Sequence, residues 1–87
     1  MNKDNFETRV CFRKFPKHDV IAIFPDTKGM HSCGTYMSYE RVGQHGPIVP
    51  EAIAETVEAS EEEYASLKRE LENIGYNLKV DQNATFK

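Results

Sequence analysis

The amino-acid sequence predicts an α+β fold: a small antiparallel β-sheet of about four to five strands packed on one C-terminal α-helix, in the order strand, strand, strand, further strand, helix, strand. Three observations carry this reading. Residues 7–15 alternate apolar and polar positions, residues 20–24 are an unbroken apolar run, and residues 61–74 contain a helix whose start, stripe and stop are all local. At 87 residues the chain fits a single domain, 1–87, since only larger chains divide into separate cores. Its 39% hydrophobic and 29% charged content is that of a chain that folds, not of a disordered segment.

In the first strand Thr8, Val10 and Phe12 alternate with Arg9, Cys11 and Arg13, so one face turns inward. Pro16, Lys17, His18 and Asp19 supply turn chemistry before the apolar run Val20-Ile21-Ala22-Ile23-Phe24, which reads as a central strand. So short a connection predicts an antiparallel hairpin. Residues 25–35, with Pro25, Asp26, Gly29, Ser32 and Gly34, read as an exposed loop. A third strand is expected over Tyr36–Val42, with Tyr36, Ser38, Glu40 and Val42 on one side and Met37, Tyr39 and Arg41 on the other. Neither side is wholly apolar, which is the pattern of an edge or of a face that meets a ligand or partner.

Gly43-Gln44-His45-Gly46-Pro47 interrupts the strand pattern. Over residues 50–59, Ile53, Glu55 and Val57 alternate as in a strand, whereas the Glu and Ala content favours a helix. The following helix has its own start, which tips the reading towards a strand. That start is Ser60-Glu61-Glu62-Glu63, a capping box in which Ser60 and Glu63 satisfy each other's backbone N–H groups. Tyr64, Leu67, Leu71 and Ile74 form the apolar stripe, Lys68 and Glu72 an i,i+4 pair, and Gly75 with Tyr76 a Schellman stop. Tyr76–Val80 alternates again and predicts a last strand in the sheet that the helix covers, with the other sheet face left free. Residues 1–6 and 81–87 are expected to fray.

Residues 1–46 carry a net charge of +2 and residues 47–87 one of −5. The acidic excess lies in Glu51, Glu55, Glu58, Glu61, Glu62 and Glu63, and negative charge in the first helical turn complements the helix dipole. No apolar run reaches the roughly 18 residues that a membrane-spanning helix needs, and residues 1–7 lack the apolar stretch of a signal peptide, so a cytoplasmic location is expected. Cys11 and Cys33 are then expected to stay reduced.

Ser38-Tyr39 with Val42-Gly43-Gln44-His45-Gly46, and Glu62-Glu63-Tyr64 through Leu67, Glu70-Leu71 and Ile74-Gly75-Tyr76-Asn77-Leu78-Lys79-Val80, resemble an uncharacterised family of small bacterial and mobile-element proteins. The resemblance implies a bacterial or phage-like setting and nothing catalytic.

Several residue sets bear on function. His31, Cys33 and His45, with Cys11 or His18, offer zinc-ligand chemistry, but no Cys-x2-Cys pairing is present, so no metal or other cofactor is expected. Cys33 with a histidine is the residue pair of a thiol nucleophile, yet spacing alone supplies neither contact nor an oxyanion donor, and no phosphate loop or nucleophile elbow accompanies it; no catalytic residue is assigned. Tyr36, Tyr39, Arg41, Gln44 and His45 combine aromatic faces, a guanidinium and an amide suited to a planar or anionic small molecule such as a nucleotide. Arg9, Arg13, Lys14 and Lys17 beside Phe12 and Phe15 have nucleic-acid chemistry, against which the net charge of −3 weighs. Glu51, Glu55 and Glu58 are the candidate contacts to a protein partner. The sequence therefore favours a non-enzymatic binding module acting through a protein partner or as a homo-oligomer, with small-molecule sequestration as the alternative.

Overall fold

The computed structural model describes residues 7–16, 20–28, 34–40 and 45–86. Its elements are β1 (Thr8–Lys14), β2 (Val20–Lys28), β3 (Tyr36–Tyr39), β4 (His45–Ile48), α1 (Pro50–Ile53), β5 (Val57–Glu58), α2 (Glu61–Ile74) and β6 (Leu78–Val80). The sheet order is β4-β3-β2-β1-β5 with antiparallel neighbours, and β6 pairs in parallel with the other end of β1. The α+β architecture and the β1–β2 hairpin are thus as predicted.

Register decides the faces. Phe12 lies opposite Ala22 and Ala22 opposite Tyr39, so these share the side that meets α2; Cys11, Ile23 and Ser38 align on the other. On the helix side Val10, Phe12, Ala22, Phe24, Tyr39, Ala59, Leu67 and Leu71 form the larger core. Full burial of Leu67 and Leu71 contributes about 1.5 to 3 kcal/mol each. Tyr64 stacks on Phe12 with ring centroids 4.3 Å apart.

The ends of α2 follow the sequence. Glu63 N–H donates to Ser60 Oγ at 3.3 Å and Ser60 N–H to the Glu63 carboxylate at 2.8 Å. At the stop, Gly75 adopts φ 129°, its N–H donates to the Glu72 carbonyl and the Tyr76 N–H to the Leu71 carbonyl, each at 3.1 Å. Ile74 departs from the predicted stripe: it is exposed, because the Schellman turn folds Tyr76 back to stack on Phe24 at 5.3 Å beneath the last turn.

Five further expectations are corrected. Residues 25–28 extend β2 instead of opening a loop; the pairing register shifts between Phe24 and Lys28, where Pro25 has no N–H to give, and Arg9 grips Asp26. His45–Ile48 is a strand, and Pro47 fits it because an edge strand has no outer neighbour for a proline to disappoint. Residues 50–59 are not one strand but the single turn α1 and the two-residue β5. Pro50 opens α1, and a helix this short relies on tertiary contact, which Ile53 supplies.

That contact makes the fourth correction, since the second sheet face is not free. Ile21, Ile23, Ile48 and Ile53 form a smaller core there, flanked by Phe15, Tyr36, Ala52 and Phe86. Nor does the tail simply fray: Gln82 and Phe86 both contact the sheet, by hydrogen bonds to Phe12 and by ring contact with Tyr36. Among the described residues no helix is long and apolar enough to cross a membrane.

Candidate functional site

The acidic segment carries unmatched charge among the described residues. From Pro47 to Glu63 the chain holds six glutamates and no lysine or arginine. The short elements α1 and β5 and the first turn of α2 keep that chain at the rim of the sheet, where Glu51, Glu55, Glu58, Glu61 and Glu62 are all exposed. None of these five forms an ion pair among the described residues. Glu63 differs: Lys14 binds its carboxylate, and this contact together with the Ser60 N–H holds its pKa down to about 2. Val57, exposed on β5, gives the strip an apolar residue between Glu55 and Glu58.

Cations of β1 that might have offset this charge are occupied. Arg9 donates to Asp26 at 2.8 and 2.9 Å and to Asp81 at 2.7 Å, which raises its own pKa and lowers that of Asp26. Arg13 donates to the hydroxyl of buried Thr56 at 2.5 Å and to its carbonyl at 2.8 Å, while that hydroxyl donates to the Ile53 carbonyl. It thereby ties the exit of α1 to the sheet. Lys14 is taken by Glu63. The residues read as a nucleic-acid patch are therefore structural ties in β1, and Lys17 lies outside the described residues.

The proposed ligand set divides between the two faces. Tyr39 and His45 are cross-strand partners on the helix side, with ring centroids 4.7 Å apart. Tyr39 is buried and its hydroxyl bonds the Glu70 carboxylate; His45 Nε2 lies 3.1 Å from the Tyr76 hydroxyl. Tyr36 is on the opposite side, edge-on to Phe86 at 5.0 Å. Tyr39 is three positions after Tyr36 in the same strand, an odd offset, and that alone puts them on opposite faces. Arg41 and Gln44 lie outside the described residues.

Tyr76 and Glu70 belong to the Tyr39–His45 corner although the sequence did not single them out for it. The Schellman stop was the available signal for Tyr76, because it returns the chain towards the sheet. Nothing local marks Glu70.

Cys11 is buried and reduced, and burial raises its thiol pKa, the opposite of what activates a nucleophile. Among the described residues no three His, Cys, Asp or Glu side chains are grouped to hold a metal ion; His18, His31 and Cys33 lie outside them. Compared with protein-family models, with curated proteins and with solved structures, the chain matches none.

Proposed function

We propose that this chain is a non-enzymatic binding module that engages a basic protein surface through the strip formed by Glu51, Glu55, Glu58, Glu61 and Glu62, inside a bacterial cell as the family resemblance implies. One observation carries the reading: five exposed carboxylates on consecutive short elements lack a cationic partner among the described residues, while the neighbouring cations Arg9, Arg13 and Lys14 are bound internally. Like charges held together in this way oppose folding, and a complementary surface relieves that repulsion on association. Val57 supplies apolar contact within the charged rim, the arrangement common at protein interfaces.

The test is quantitative affinity purification from the source cell, comparing the wild type with a Glu51→Gln/Glu55→Gln/Glu58→Gln variant. Retention of a basic protein by the wild type, weakened by added salt and lost in the variant, is expected. Equal retention by both proteins rules the strip out.

A further inference from the structure

One end of the sheet is β5, and the register of its two residues decides what that edge presents. Glu58 lies opposite Arg13 and Val57 opposite Lys14, and the next residue, Ala59, donates its N–H to the Phe12 carbonyl at 3.1 Å. Hydrogen-bonded and non-hydrogen-bonded pairs alternate along an antiparallel ladder. Ala59 with Phe12 and Val57 with Lys14 are therefore of the first kind, and Glu58 with Arg13 of the second. The N–H and C=O of Glu58 point away from β1, and no described strand lies beyond β5 to meet them. The far edge is different: β4 carries Pro47, which blunts it.

The edge is held at both ends. Arg13 binds the hydroxyl and carbonyl of Thr56 just before β5, and Gln82 Nε2 donates to the Ala59 carbonyl at 2.9 Å just after it. An added strand would thus meet a preformed edge, with little ordering left to do. Two residues offer only one peptide group's worth of bonding, so the side chains select the occupant. Glu58 shares the face of Arg13 and Val57 the face of Lys14. Val57 is 48% exposed, Glu58 is exposed on the other side, and Glu55, Glu61 and Glu62 flank them without an ion pair among the described residues. A strand laid here meets a carboxylate on one face and an isopropyl group on the other. Charge complementarity selects an extended segment in which lysine or arginine alternates with a β-branched residue.

We propose that the outer edge of β5 binds an extended basic segment of a partner protein as an added strand. Glu58 supplies both backbone hydrogen bonds, its carboxylate and that of Glu55 meet the cations, and Val57 makes the apolar contact. The proposal rests on the acidic strip as a protein-binding surface and adds to it a conformation for the partner and a backbone contact.

The probe is a fluorescein-labelled peptide of alternating lysine and valine, six residues long, titrated by fluorescence anisotropy into the full chain at low salt. Two isomers carry N-methyl groups either on the lysine amides or on the valine amides. Their charge is equal, but in an added strand one set of amides faces β5 and the other faces water. One isomer is expected to bind about tenfold more weakly than the other. Equal affinity overturns the added strand, and retention of a basic protein in the affinity purification would then leave the acidic strip standing without it. Absence of binding by the unmethylated peptide at millimolar concentration also overturns the proposal. Glu58→Pro removes an N–H that pairs with nothing inside the fold, whereas Glu58→Gln removes only the charge. The proline variant is expected to bind the unmethylated peptide about tenfold more weakly than the glutamine variant, and equal binding overturns the backbone contact. The isomer comparison uses the unaltered chain and decides the matter even where Glu58→Pro does not fold. A dimer in native mass spectrometry that Glu58→Pro dissolves gives the edge to a second copy and overturns the basic segment as its occupant.

Discussion

Glu63 serves the capping box and the ion pair with Lys14 at once, so its protonation state reports on both. The folded state holds its pKa at about 2, below the ordinary 4.5. The stabilisation is therefore complete above the ordinary value and is lost as pH falls through about 2. Asp26, lowered by Arg9, acts in the same direction. Melting temperature is expected to fall between about pH 5 and pH 2, and less steeply in Glu63→Gln; parallel curves for the two proteins would show that the carboxylate contributes nothing. Single residues of the candidate site were legible in uneven measure. Glu51, Glu55 and Glu58 could be read from composition, whereas the partner of the Tyr39 hydroxyl, Glu70, lies 31 positions away in the chain.

Among the elements, α2 is the one fixed by its own residues: cap, stripe and stop are all within one contiguous stretch. Leu71 lies fully buried in its last turn and its carbonyl also receives the Tyr76 N–H. Leu71→Ala is expected to cost about 2 to 5 kcal/mol in chemical denaturation, through lost burial and the cavity left beneath Phe24 and Tyr39. A cost below about 1 kcal/mol would mean that the helix is not packed as described. By contrast α1 and β5 have weak local signals. Alternation over Ile53, Glu55 and Val57 mimics a strand, but Arg13 binding to Thr56 breaks that stretch into a helical turn and a short edge strand.

For the molecule as a whole, the sheet is covered on both sides, by α2 and by α1 with Phe86. β2 gives Ala22 and Phe24 to the larger core and Ile21 and Ile23 to the smaller, so the two cores are coupled through a shared strand. Ile53→Ala, in the smaller core, is expected to destabilise the entire fold by about 2 to 5 kcal/mol. Far-ultraviolet circular dichroism and Tyr fluorescence should then melt together; separate transitions would mean that the cores unfold independently.

By itself the sequence determined what depends on neighbours along the chain: the α+β class, the β1–β2 hairpin, the capped helix and its Schellman stop. Periodicity and capping are local physical signals, and they need no knowledge of the partner surface. Only the tertiary structure decided that the second face is covered, that the β1 cations are used internally, and that Gln82 completes an edge 70 residues earlier in the chain. Those contacts join groups distant in sequence, and a carboxamide or a glutamate carries no local mark of the backbone or hydroxyl it will meet.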